Sequence, residues 1–279
     1  MNSAEETRIR FAQEIGQADD QINLARAALL IARQEYLHLD VAAYLRVLDM
    51  MADEMRPRLR ASSDVVKIVE QMNHYLFDEW KFVGNLEQYY DPKNSFLNDV
   101  IDRRTGIPIT LSVIYLELGW RLGLLLAGVG FPGHFMVKAQ MPEGDIVIDP
   151  FNHGRFINDE TCRQLLDSLY QHEIQFHPSL MMVVNKRQIL TRMLTNLKGI
   201  YLQQADLPRA LAVIDRLVLL TPEDPTQIRD RGIVSYGLNQ YSLAYQDLRT
   251  YLHYCPTAQD AELIREYLAT IRQRMSALN

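Results

Sequence analysis

Apolar positions along the first ~80 residues recur at helical spacing. Ile22, Leu24, Ala28, Leu29 and Ile31 form one stripe, and Leu45, Leu48, Met51 and Met55 form another. Glycine and proline are nearly absent before Pro57. A third helix is predicted from Ser63 to about Trp80, opened by Ser62 or Ser63 as cap and burying Val66, Val69, Met72 and Leu76. The pattern changes at Tyr89-Tyr90-Asp91-Pro92. Asp-Pro opens a turn, and Asn94 or Ser95 is the expected cap of a short helix that buries Phe96, Val100 and Ile101. Thr105-Gly106-Ile107-Pro108 ends that helix and starts another, since proline suits the first helical turn, where its missing N–H leaves no bond unmade. The new helix carries Leu111, Ile114, Tyr115, Leu118 and Leu122. It is apolar nearly all round, the pattern of a helix enclosed at the centre of a domain.

Strand-like alternation follows. Leu124 to Phe131 is one short run. Phe135, Val137 and Ala139 then alternate with His134, Met136, Lys138 and Gln140. Pro142-Glu143-Gly144-Asp145 makes a loop and Ile146-Val147-Ile148-Asp149 the return strand. An odd register sum puts Ile146 and Ile148 on one face with Phe135, Val137 and Ala139, which gathers the apolar residues. The same parity places His134 and Asp149 together on the opposite face. Direct pairing of the two requires a turn centred between Met141 and Pro142. A turn centred two residues later sets Lys138 opposite Asp149 instead, and the sequence leaves both registers open.

From about Val183 the chain reads as helical again and repeats at a period of 34. Leu207 recurs as Tyr241, Ala210 as Ala244, Ile214 as Leu248, Leu217 as Tyr251 and Pro222 as Pro256. This period, with a small residue early in the second helix and a closing proline, resembles tetratricopeptide repeats; a coincidental helical bundle is the alternative. A capping helix is expected around Asp260 to Met275. Two repeats are fewer than such arrays need to stand alone, so the tail is expected to dock on the first domain. The domain division is therefore 1–182 and 183–279.

Composition narrows the function. Asp and Glu (35) outnumber Lys and Arg (29), for a net charge of -6. That balance argues against nucleic acid, which calls for a basic stripe. No apolar run approaches the ~20 residues of a membrane span. The polar start Met1-Asn2-Ser3-Ala4-Glu5-Glu6 lacks the basic and apolar regions of a signal peptide. Cys162 and Cys255 lie far apart and form no CxxC pair, the usage of a reducing compartment. A cytoplasmic protein is expected, with no cofactor and no metal. His134, His153 and Asp149 have no ligand-signature spacing. Arg103-Arg104 reads as a solvated helix end that suits the helix dipole. Trp80, Tyr89, Tyr90 and Trp120 read as packing residues.

One constellation stands out: Asn94-Ser95-Phe96-Leu97-Asn98, Arg103-Arg104-Thr105-Gly106-Ile107-Pro108-Ile109-Thr110-Leu111-Ser112, Gly130-Phe131-Pro132-Gly133-His134-Phe135 and Ile148-Asp149-Pro150-Phe151-Asn152. It resembles the bacterial SirB-type family, a transglutaminase-like domain joined to tetratricopeptide repeats, with a related module in some eukaryotic F-box proteins. The resemblance implies an α+β fold: a helical N-terminal part, a cysteine-protease-type core with a small antiparallel sheet, and an all-α repeat tail. It also implies a site. The superfamily uses a Cys–His–Asp triad, in which a base activates the thiol and a carboxylate orients the base. Gly106-Ile107-Pro108 and Gly123 match the spacing of the cysteine helix, and His134 and Asp149 match the histidine and aspartate. Pro108 occupies the nucleophile's position. Cys162 and Cys255 follow the aspartate and align with nothing in that helix.

Two functions are compatible with this. The first is a non-catalytic protein- or peptide-binding adaptor of the bacterial cytosol with a regulatory role, using the cleft and the repeat tail. The second is a cysteine-free hydrolase or amide-bond transferase, with His134 activating water and Asp149 orienting it. Thr110, Ser112, His134, Asp149 and Asn152 are the binding candidates. Thr110 and Ser112 also have a structural reading, as hydroxyls bonded back to a helix carbonyl, and His134 has one as a plain partner of Asp149.

Overall fold

The computed structural model describes residues 3–59 and 64–277. Helices α1 (Ser3–Ile15), α2 (Leu24–Ala32), α3 (Val41–Leu59) and α4 (Val65–Asn73) form the N-terminal part. Asn23 caps α2 by accepting the N–H of Arg26. Every residue of α2 except Arg26 is buried, so it is enclosed rather than half-exposed as a single stripe implies. The expected caps Ser62 and Ser63 lie outside the described residues. Asp64 caps α4, accepting the N–H groups of Val66 and Lys67. The helix then widens into a π turn, His74–Glu79, that buries Tyr75, Leu76 and Phe77 and closes at Trp80.

The short helix α5 (Leu97–Arg103) buries Leu97, Val100 and Ile101, but neither Asn94 nor Ser95 caps it. Phe96 holds the cap position without a side-chain bond. Asn94 belongs to the preceding turn, which Asp91 caps, and its amide group is held by Gln88 O and Asn85 Nδ2. Tertiary bonds have taken the side chain that local chemistry offered to the helix. Arg104 ends α5 in the left-handed region. Arg103 pairs with Asp91, and the Arg104 guanidinium lies 5.2 Å from the Trp80 ring, so this basic pair is packed on the fold as well as placed at a helix end.

Between α5 and the next helix, β2 (Thr105–Gly106) pairs in parallel with β1 (Val83–Gly84). Helix α6 (Pro108–Arg121) then runs buried from Pro108 through Gly119, the enclosed central helix that its apolar surface predicts. Gly123, at φ +84, turns the chain away just past its end.

Strands β3 (Leu126–Val129), β4 (Met136–Ala139), β5 (Ile146–Asp149), β6 (Arg155–Ile157) and β7 (Val183–Val184) make one antiparallel sheet ordered β6-β5-β4-β3-β7. Val183 therefore opens an edge strand rather than a helix, and the helix α8 (Lys186–Gln203) follows it. Helix α6 packs against β3 and β4. Met136 joins Val129, Phe131, Cys162 and Leu166 in a core beneath α7 (Asp159–Tyr170). Because Met136 and Val137 point opposite ways, both faces of the sheet are covered.

The β4–β5 register is neither of the two left open. Val137 faces Ile148 and Ala139 faces Ile146, which centres the turn between Pro142 and Glu143. Parity is kept, so Asp149 falls on the His134 face. One step beyond Val137–Ile148, it comes opposite Met136, diagonal to His134.

The chain divides into compact units 1–193 and 194–279, with the division inside α8 (Lys186–Gln203). In the second unit α9 (Leu207–Leu220), α10 (Pro225–Gly237), α11 (Tyr241–Tyr254) and α12 (Ala261–Ala277) follow one another. The repeat is visible in the backbone. Thr221 and Cys255 end α9 and α11 with nearly the same angles (φ −129 ψ 64, φ −128 ψ 60), and each precedes a proline. Ala210 and Ala244 are both fully buried. A Cβ on Gly232 of α10 would meet Leu248 of α11 at 2.8 Å, so that glycine sets how closely the pair packs. Arg231 bridges Asp215 of α9 and Asp247 of α11.

Candidate functional site

His134 lies just ahead of β4 and Asp149 at the end of β5. Both are almost fully buried. The diagonal placement suffices to join them, because an imidazole spans the offset that a short side chain would not. His134 Nε2 lies 2.9 Å from Asp149 Oδ2. Asp149 also caps the turn Pro150–Asn152. Its Oδ1 accepts the N–H of Phe151 (3.0 Å) and Asn152 (3.3 Å), and Oδ2 accepts Asn152 Nδ2 at 2.7 Å.

Burial pushes the Asp149 carboxyl up, but the bond and charge of His134 and the donors from Asn152 outweigh it, so its pKa falls below the ordinary carboxylate value. An ionised carboxylate only accepts, so Nε2 carries the proton of this bond. In the neutral ring the lone pair is then on Nδ1. The carboxylate thus orients the imidazole, as the aspartate orients the histidine in a triad.

The other candidates divide. Asn152 joins the pair directly through Asp149. Thr110 does not: its Oγ1 donates to Asn94 O (2.8 Å) and accepts the N–H of Ile107 (3.1 Å). That is half of a capping box, since Ile107 has no side-chain acceptor to complete it. Ser112 Oγ is 3.5 Å from Phe135 O, so it reaches across to the residue after His134 rather than back to its own helix. Pro108 stands at the first position of α6, buried, directly after the strand pair β1–β2.

Three further residues position this region. The Phe151 ring is edge-on to His134 at 5.8 Å and packs where a Cβ on Gly84 would be. It therefore touches both His134 and the strand pair that leads into α6. Gly154 N–H donates to Asp149 O at 2.8 Å, and Gly154 O accepts Asn73 Nδ2 at 2.8 Å. Tyr115, buried in α6, donates its hydroxyl to Asn73 Oδ1 at 2.9 Å. The loop after Asp149 is thus tied to α4 and α6. Phe151 stands inside a motif legible in the sequence. Asn73, 81 residues before Gly154, has no local signal at all.

Residues 42–195 match the profile of the Transglutaminase-like superfamily, and residues 197–269 that of the Tetratricopeptide repeat. A UPF0162 protein of Xylella fastidiosa is 36% identical over 256 residues, 91% of each chain. Protein SirB1 of Salmonella typhimurium is 26% identical over 212 residues, 76% of this chain and 78% of that one. The chain belongs to the SirB-type family of transglutaminase-like proteins. Human F-box only protein 21 is 37% identical over 139 residues, 47% of this chain and 21% of its own. No solved structure matches. The SirB-type architecture of a mostly helical, transglutaminase-like domain with a small antiparallel sheet, followed by helical repeats, is the fold described above. No helix among the described residues is long and apolar enough to cross a membrane.

Proposed function

We propose that this SirB-type protein is a non-catalytic, protein- or peptide-binding regulatory adaptor. Pro108 at the first position of α6 carries the reading. Proline there supplies neither a thiol nor a backbone N–H, so nucleophile and one oxyanion donor are both missing from the place where the superfamily's helix begins. The repeat unit supports the binding half, since stacked helix pairs build extended surfaces for partners. The competing reading is a hydrolase in which His134 activates water. It draws on the 2.9 Å His134–Asp149 bond, which holds the ring as a general base needs it.

A fluorogenic amide and ester screen of the full chain, with His134→Ala beside it, separates the two. The adaptor reading expects no turnover above the buffer rate in either protein. Turnover by the wild type that disappears in His134→Ala overturns it.

A further inference from the structure

From His134 the aromatic rings continue outward in a row. Phe151 is edge-on to His134, Tyr89 is edge-on to Phe151 with centroids 6.4 Å apart, and Tyr90 is edge-on to Tyr89 at 5.3 Å. Tyr90 is 66% exposed, so the row ends at the surface. Helix α8 comes alongside: a Cβ on Gly128 would touch both Phe135, the neighbour of His134, and Ile189 of α8. Arg192 lies one turn past Ile189, still within the first compact unit, and its charge acts on the Tyr89 hydroxyl. Two polar groups here are uncommitted. Arg192 is half-buried and makes no ion pair or hydrogen bond among the described residues, and the Tyr89 hydroxyl makes none either. Neither group is closed off from solvent. Burial raises the Tyr89 pKa against the opposing charge of Arg192, so the hydroxyl remains a donor at neutral pH. The carboxylates of the adjoining loop do not serve these donors. Asp91 is taken by the Lys93 N–H and by Arg103, and Glu87 is exposed and bonds to neither.

Tyrosine rings and an arginine with no partner of its own are the composition of a recognition surface. A single planar guanidinium holds a carboxylate through two parallel bonds, whereas phosphate groups are met by arginine clusters. Arg192 acts at Tyr89, which is the middle of the row, so a chain lying along the rings passes the arginine rather than ending on it. We infer that the row is a docking strip for an extended peptide, in which Arg192 and the Tyr89 hydroxyl bind an acidic side chain next to an apolar residue packed on Tyr90. The inference holds on either reading of His134, since a hydrolase's substrate and an adaptor's partner alike must be anchored.

The test is binding of the full chain to an array of acetylated, amidated nonapeptides with Glu, Gln or Lys at the centre, flanked by every pair of apolar residues. Fluorescence anisotropy then gives Kd for the strongest Glu peptide and for its Gln counterpart. The Glu peptide should bind at least about tenfold more tightly, the effect of a hydrogen bond to a charged group. Arg192→Gln should remove that difference while leaving the Gln peptide within about twofold of its wild-type affinity, which a merely structural role of the arginine would not do. Tyr89→Phe should narrow the difference about three- to tenfold, and it carries the test should Arg192→Gln fold poorly. No Glu-centred peptide binding above its Gln counterpart overturns the inference, and so does a Glu preference unchanged in either variant. A Gln-centred peptide that regains the full affinity once its C-terminus is a free acid overturns the assignment to a side chain. Turnover of amides or esters by His134 is read in a separate assay and changes none of these outcomes.

Discussion

On the reading that Pro108 holds the place of the superfamily's nucleophile, Pro108→Cys supplies that thiol, and three opposing effects on it can be weighed. Burial raises it. Cys162, enclosed beneath the sheet, is pushed up to about 11, chiefly by desolvation. Pro108 is also buried, so a comparable rise applies there. A helix N-terminus stabilises a thiolate by about 0.3–2 kcal/mol. At 1.36 kcal/mol per pH unit that is roughly 0.2–1.5, short of what burial adds. An imidazolium at ~4 Å, the separation that the nucleophile reading of Pro108 requires, would contribute about 4 kcal/mol at an effective dielectric of 20, or about 3 pH units. The imidazole therefore decides the sign. With His134 alongside, the thiol titrates roughly two units below the ~8.5 of a free cysteine; without it, at or above that value.

The assay is the pH dependence of iodoacetamide alkylation in a Cys162→Ala, Cys255→Ser background. Alanine suits position 162 because a serine hydroxyl would be buried in an apolar cluster. The Pro108→Cys protein should alkylate rapidly near neutral pH, and adding His134→Ala should move the midpoint up by about two units or more. Thermal unfolding run in parallel shows whether the new first-turn N–H, absent in proline, disturbs the fold. A midpoint that ignores His134, or one near that of Cys162, refutes the placement of Pro108 at the nucleophile's position.

Asp149→Ala should destabilise the chain by about 3–5 kcal/mol, because it strips four donors of a buried acceptor. Since the Asp149 pKa is lowered on folding, its contribution is complete above the unfolded value of ~3.9 and is lost as pH falls through the lower folded one; urea melts of both proteins at descending pH should converge only in that acid window, and a gap that is constant down to the lowest pH counts against the assignment. Gly154→Ala meets two obstacles, a φ of +72 and a Cβ 2.1 Å from Asn73 Oδ1; a loss of about 1–3 kcal/mol in denaturant melts is expected, and a neutral result would show that Asn73 does not pin this loop. The isolated fragment 183–279 should be poorly folded, because Lys186 and Arg187 at the head of α8 bond to Asp19 and Ile189, Leu190 and Met193 are buried; a cooperative melt with full helix content would contradict this.

The parts of this fold that are legible in the sequence are those that punctuation brackets. Pro108 and Gly123 delimit α6, and no polar face tempts it to the surface. The hairpin is legible because the side-chain period fixes parity, which is why His134 and Asp149 share a face. Register is set instead by the loop from Gln140 to Asp145 and by packing on both sheet faces, and parity carries no information about it. Strands β1, β2, β6 and β7 span two or three residues, too short to show alternation. Helix α7 is not among the elements expected from the pattern, although Asn158 caps it, Asp159 and Glu160 open it, and Cys162 and Leu166 fall one turn apart. Its consequence, a second covered face that turns Met136 into core, follows only once the sheet is assembled. The cap expected of Asn94 shows the reverse error. The side chain has the right chemistry for a helix end, but Gln88 and Asn85 reach it first.

The two members of the remaining pair do not need the same explanation. Three of the four bonds to the Asp149 carboxylate come from its own loop, through Phe151 and Asn152. Without it, two backbone N–H groups and an amide lose their acceptor beside a buried core, so the aspartate is accounted for by folding alone. His134 makes one side-chain hydrogen bond, to a carboxylate already held in place, and an edge contact with Phe151. Any apolar side chain of similar size would fill that space without burying a second polar ring. Architecture therefore explains the aspartate and leaves the histidine over. The feature that calls for a function is an imidazole held by Nε2 with its Nδ1 side uncommitted to Asp149. On the proposed adaptor reading that nitrogen is the hydrogen-bonding group offered to a partner; on the competing hydrolase reading it is the proton acceptor.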